Sequence, residues 1–328
     1  MPASQLSLLD NIRFSNGSDG LKNYYHDLLQ NNREKAFEMI NDHKLQFGTL
    51  FLLRQELSKT TGSDTLNSLY RKSLEIATEL IGKKTGQTEK TMRSGNEDTA
   101  SVLRWMIKTG YTEDSADKDY EQLMEHSAAL LTKSFRDTAV LQEIAEMIFA
   151  RHRSGRLIHE LVWAFFEARS PESLQFIAQR LNSSDSRDVE LSKRLLCFIP
   201  AISESSGIEG STLYFRALQW LQENKPFLYF TGESLHLCSL PRHYAISWVT
   251  KYLCRPVSVN NGEPLLPLNE FENGLSALFE QLPDRQQQQL ADFSHMLCKR
   301  NIYQWNTWIR LSIAEQTGLA SRMMGGLK

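Results

Sequence analysis

Residues 136–202 read RDTAVLQEIAEMIFARHRSGRLIHELVWAFFEARSPESLQFIAQRLNSSDSRDVELSKRLLCFIPAI, with apolar groups at helical intervals and sharp stops between them. Val140, Leu141, Ile144, Ala145, Ile148 and Phe149 fall on one face of a helix, a spacing that a strand could not use. Ser154-Gly155 ends the run, because glycine takes the left-handed conformation cheaply. Leu157, Ile158, Leu161, Val162, Phe165 and Phe166 form the next stripe, which Trp163 and Ala164 widen until the helix is apolar nearly all round. Ser170-Pro171-Glu172 starts a third helix with a capping serine and a proline at the first position. Its narrow stripe is Leu174, Ile177, Ala178 and Leu181. The fourth helix, from about Asp188, turns Leu191, Leu195, Leu196, Phe198 and Ile199 inward, and Pro200 disturbs its end.

These four segments form two helical hairpins in tandem, repeating about every 33–35 residues. The pattern resembles HEAT-like or armadillo-like repeats over about a fifth of the chain. The resemblance lies in architecture and names no function. It implies an all-α fold of stacked antiparallel helical hairpins, α-solenoid-like; an irregular helical bundle is the alternative.

Outward from this stretch, residues 1–20 read as a flexible leader that closes on the turn-rich Ser15-Asn16-Gly17-Ser18-Asp19-Gly20. Residues 21–81 form an N-terminal helical region, whose last stripe carries Leu66, Leu69, Tyr70, Leu74, Ile76, Ala77 and Leu80. Residues 82–99, with three glycines and almost no apolar group, read as a flexible loop or linker. A helical repeat region spans 100–202 and a C-terminal helical region 203–328. Ser239-Leu240-Pro241 reads as the start of a helix carrying Tyr244, Ala245, Trp248 and Tyr252. The segment 255–268 is the least helical, and Asn260-Asn261-Gly262 could turn a small hairpin between Val257 and Leu265.

The length of 328 residues suggests about two domains. Net charge is −2, from 37 basic and 39 acidic side chains. That balance gives no long-range field to steer nucleic acid or an anionic membrane. The first residues lack the basic flank and apolar core of a signal peptide, and no apolar run is long enough to span a bilayer. A cytoplasmic protein is expected, with Cys197, Cys238, Cys254 and Cys298 reduced and buried as apolar side chains.

The densest group of metal-ligating residue types is His236, Cys238, His243 and Cys254. Their spacing matches no standard zinc finger. The plainer reading is two ordinary histidines and two core cysteines, with His243→Ala leaving stability nearly unchanged. Arg151, Arg153 and Arg156, continued by Arg180, Arg187 and Arg194, could form a ridge that meets phosphate. The same stretch is rich in acids, so surface pairing is the alternative. Trp305 and Trp308, one helical turn apart, could form a docking patch or pack into a core. No nucleophile elbow, phosphate loop or His-Glu-x-x-His motif is present.

The expectation is a non-catalytic scaffold or adaptor that binds a protein partner on a groove or concave face and needs no cofactor. An enzyme or metal protein centred on the irregular region 227–267 is the first alternative. Nucleic-acid binding through the arginine ridge is the second, and it is disfavoured. The oligomeric state is not legible in the sequence.

Overall fold

The computed structural model describes residues 6–60, 65–81, 97–113, 117–203 and 210–325. The fold is all-α, with a single two-stranded sheet among the described residues. It divides into two compact units, residues 1–168 and 169–328. The boundary falls between the two hairpins that the sequence reads as tandem.

In the first unit, α1 (Leu8–Asn31) leads into α2 (Arg33–Ile40), α3 (Phe47–Leu52), α4 (Arg54–Thr60) and α5 (Ser68–Leu80). Then come α6 (Glu97–Gly110), α7 (Lys118–Ala129), α8 (Leu141–Arg153) and α9 (His159–Glu167). The turn-rich reading of residues 15–20 is corrected, since they lie inside α1. Ser7 and Asp10 form a reciprocal capping box at its start. Buried Leu21, Tyr25 and Leu29 hold the later turns. The turn signal survives only as a kink at Gly17, where φ is 73°. Of the supposed linker, residues 82–96 lie outside the described residues, and 97–99 are the first turn of α6.

Aromatic rings gather α3, α5, α6 and α7 into one core. Phe47 lies 5.7 Å from Trp105 and 5.9 Å from Tyr120, and Tyr70 stacks on Trp105 at 5.3 Å. The Tyr120 hydroxyl donates to the carbonyl of Gly110, the last residue of α6, at 2.9 Å. A helix's final carbonyls have no partner within the helix, so a buried end needs such a donor. Any Cβ on Gly110 would run into that same hydroxyl.

The second unit opens with α10 (Leu174–Ala178), flanked by 3-10 turns, then α11 (Ser186–Leu195), α12 (Pro200–Ser203) and α13 (Gly210–Asn224). Strands β1 (Leu228–Phe230) and β2 (Tyr244–Ile246) pair antiparallel, with Tyr229 opposite Ala245. The helix expected from Ser239 is therefore corrected: Tyr244 and Ala245 are extended, and α14 (Trp248–Tyr252) begins only after Ser247. The expected turn does form at Asn260-Asn261-Gly262, with a bridge between Val257 and Pro264. It lies along the free edge of β1, where the Phe230 amide donates to the Val259 carbonyl at 2.7 Å.

Helices α15 (Glu270–Glu280), α16 (Asp284–Arg300), α17 (Ile302–Trp308) and α18 (Ile313–Gly325) complete the unit. Tyr252 is the centre of their core. Its ring stacks on Phe279 at 4.7 Å and meets Trp308 edge-on at 6.1 Å. Its hydroxyl donates to Gln316 at 2.7 Å.

Tyr120→Phe should destabilise the protein by about 1–3 kcal/mol, because it strands a buried carbonyl. Gly110→Ala should also destabilise it, but should cost less in the Tyr120→Phe background, where the clashing oxygen is gone. Denaturant melts of the two single variants and the double variant would measure this coupling. Strictly additive effects would contradict it.

Candidate functional site

A concave surface in the first unit lies between α4 and α5, with a volume of about 830 Å³. Helix α5 explains why it exists. Tyr70, Ser73, Ile76, Ala77 and Leu80 bury one face in the core. Arg71, Leu74, Glu75 and Thr78, spaced at i, i+3, i+4 and i+7, line the groove along an adjoining face. Leu57 and Ala77 are buried at its base, and half-buried Leu66 and Leu74 add apolar wall.

The rim is charged and held in place. The Arg54 guanidinium sits 3.7 Å above the Phe51 ring and donates to the Phe51 carbonyl at 3.1 Å. It also lies 3.8 Å from Asp117 and 3.6 Å from Asp119. Glu75 and Glu79 supply negative charge on the α5 side. The lining is mostly apolar between walls of both signs. A segment that buries small or medium apolar side chains and carries its own charges outside them would fit this chemistry.

The residues singled out from the sequence take other positions. His236 and Cys238 are exposed, His243 is fully buried and Cys254 is half-buried. Among the described residues no three His, Cys, Asp or Glu side chains are grouped as a metal site. The four candidates are thus not assembled, and the structure gives the metal-centre alternative no support. The expectation of four buried cysteines is corrected: Cys238 is exposed and Cys197, Cys254 and Cys298 are only half-buried; all four are free thiols.

His243 Nδ1 lies 3.1 Å from the Glu233 carbonyl oxygen, which places a proton on that nitrogen. Burial pushes its pKa down to about 4. Truncation to alanine would open a cavity and strand this carbonyl, so the expectation of a neutral His243→Ala is corrected.

Arg151 is buried and paired with Glu125, and it also donates to the Glu121 carbonyl at 3.0 Å. It fastens α8 to α7 and presents no cation to solvent. Arg156 pairs with Glu121, Arg187 with Asp185 at 3.0 Å, and Arg180 approaches Asp188 at 4.0 Å. Half-buried Arg153 stands between the first two on the chain and has an interaction partner of its own. The ridge is largely matched by local acids. Trp308 is buried against Phe293 at 5.4 Å, and half-buried Trp305 donates from its indole to Ser294 at 2.8 Å.

The groove itself was not recognised in the sequence. Its one signal is Leu74, which is apolar yet stands on the groove side of the buried stripe. Comparison with protein-family models, with curated proteins and with solved structures finds no match. Among the described residues no helix is long and apolar enough to cross a membrane.

The unfolded chain should titrate His243 near 6.5, whereas the folded chain does so near 4. Between those values the unfolded state binds more protons, so stability rises with pH. This contribution is full above about pH 6.5 and is lost as the pH falls through about 4. Its size is roughly 3 kcal/mol. His126 and His295, also lowered by burial, act in the same direction. Unfolding free energies across this window should show a shallower slope in His243→Asn than in the wild type, whatever its absolute stability. An unchanged slope would mean that His243 is not held neutral.

Proposed function

We propose that the protein is a non-catalytic helical adaptor that holds a segment of a protein partner in the groove between α4 and α5. The observation that carries this reading is the second stripe of α5. Among the described residues, Arg71, Leu74, Glu75 and Thr78 line a cavity of about 830 Å³ and are not packed under another described helix. A groove of this kind suits an amphipathic segment whose apolar side chains repeat at i, i+3 or i+4 and enter between the charged walls. Binding would draw on apolar burial of about 25 cal/mol per Å². The rim charges would set orientation and encounter rate more than affinity.

The wider expectation of a protein-binding scaffold becomes specific in this form. A cytoplasmic location belongs to the same proposal and is supported by four cysteines that are all free thiols. The distribution of charge favours protein over nucleic acid. The groove sets Arg54 and Arg71 against Glu75, Glu79 and Asp119, so its acids outnumber its cations and it would not attract a phosphate backbone.

Peptides selected from a random amphipathic library on the wild-type protein should carry two or more apolar anchors at helical spacing. Leu74→Glu should weaken their binding at least tenfold, with a stability change below about 1 kcal/mol because Leu74 is already half-exposed. Phe215→Glu, which alters an exposed side chain in the second unit, should leave binding unchanged. Equal affinity of the selected peptides for wild type and Leu74→Glu would overturn the reading.

A further inference from the structure

Cys254 occupies a backbone position where glycine is the usual residue. Helix α14 ends in a paired cap: the Cys254 amide donates to the Lys251 carbonyl at 3.1 Å, and the Arg255 amide to Thr250 at 2.8 Å. This bonding places residue 254 in the left-handed region, and its φ is 54°. Glycine enters that region without strain, whereas a β-branched or bulky side chain resists it and cysteine does so at a cost. A cysteine held there invites the question of what its sulfur does.

The sulfur lies against α16. Cys254 Sγ is 3.8 Å from the Ser294 carbonyl oxygen, one helical turn before Cys298. Cys298 follows Ser294 by one turn on the same helix, so the two thiols come to one cavity although 44 positions separate them in the sequence. Neither is sealed away. Both line a cavity of about 350 Å³ with Asn269, Trp305, Asn306 and Arg310, and both are only partly buried as residues. The surrounding frame is fixed: Trp305 donates to Ser294, whose hydroxyl donates to the Tyr252 carbonyl.

We propose that Cys254 and Cys298 are a reversible dithiol–disulfide pair, a modification site oxidised by a peroxide that reaches the two thiols through this cavity. The order of events follows from their surroundings. Burial and the neighbouring Cys298 thiol push the Cys254 thiol up, so Cys298 attacks first. Its thiolate forms an S–O bond as the peroxide O–O bond breaks, and the departing hydroxide takes a proton to become water. The Cys254 sulfur then gives up its proton and attacks the Cys298 sulfur. The S–S bond forms, the S–O bond breaks and a second water leaves. Two thiols and one hydrogen peroxide thus become one disulfide and two waters. A dithiol reductant reverses the change by exchange. The bond would staple the end of α14 to α16 and close a long loop, which restricts the unfolded chain. This inference concerns the second unit and does not depend on peptide binding in the groove.

Full-length reduced protein treated with a modest excess of hydrogen peroxide should lose two hydrogen atoms in intact mass. Peptide mapping should recover the segments containing Cys254 and Cys298 joined, and dithiothreitol should separate them. The oxidised form should melt at least ~3 °C higher. Cys298→Ala should abolish the joined peptide, and Cys238→Ala should leave it intact. The mapping needs no variant, so a poorly folded Cys298→Ala cannot obscure the result. The proposal is overturned if the only oxidation products involve Cys197 or exposed Cys238, or if Cys254 and Cys298 accumulate as separate oxygenated acids.

Discussion

The carbonyl at the end of a buried helix must find a donor outside that helix, and in this protein a buried side chain from a later segment supplies it repeatedly. Tyr120 serves Gly110 at the end of α6, and His126 serves Leu80 at the end of α5 at 3.1 Å. The Ser192 hydroxyl reaches the Ile177 carbonyl of α10 at 2.7 Å, and Ser294 reaches Tyr252 at the end of α14. Gln316 spans two carbonyls after α17, those of Ile309 and Leu311, at 3.0 and 2.9 Å. Each bond contributes roughly 1 kcal/mol when made, but a buried carbonyl left without one costs about 1–3 kcal/mol.

This requirement explains how very short helices persist. Helices α10 and α14 have five residues each, far below the length at which an isolated helix holds together in water. Their stability comes from packing and from ends tied to neighbours. Tyr252 shows the economy of the arrangement. Its ring fills the core between Phe279 and Trp308, its hydroxyl engages Gln316, and its carbonyl receives Ser294. One residue thereby links α14 to four other helices, and helix order in each unit is set by donors as well as by apolar stripes.

Local pattern made the helices legible, and long-range pairing is what it missed. The stripes of α8 and α9 lie where the spacing of Leu141–Phe149 and Leu161–Phe166 puts them. Tyr244, Ala245, Trp248 and Tyr252 have helical spacing too, yet the first two are extended. Their backbone partner is β1, more than ten residues earlier, and no local propensity reports it. Ser15–Gly20 carries turn composition, but a capping box before it and buried side chains after it keep α1 running. The arginines illustrate the limit for sites. Arg151 and Arg153 are alike in sequence, while the fold buries Arg151 against Glu125 and leaves Arg153 half-buried. That Cys254 shares a cavity with Cys298 and not with His243 was equally illegible, since it depends on how α14 meets α16.

The same constraint says where function can reside. A helix whose ends are fixed by its neighbours can leave a lateral face uncovered without losing its place. Helix α5 is held by His126 at its last carbonyl and by Asn67 at its first turn, where the Asn67 side chain accepts from the Tyr70 amide at 2.9 Å. Its core face is closed by Tyr70 stacked on Trp105. Half-buried Leu74 lies outside these contacts, and its partial exposure is tolerated because stability is provided elsewhere. At the end of α14 the logic runs the other way. Ser294 already satisfies the Tyr252 carbonyl, and glycine at 254 would complete the cap with less strain. The thiol of Cys254 adds nothing that the cap needs, which leaves its place beside Cys298 in one cavity as the feature that distinguishes cysteine from glycine at this position.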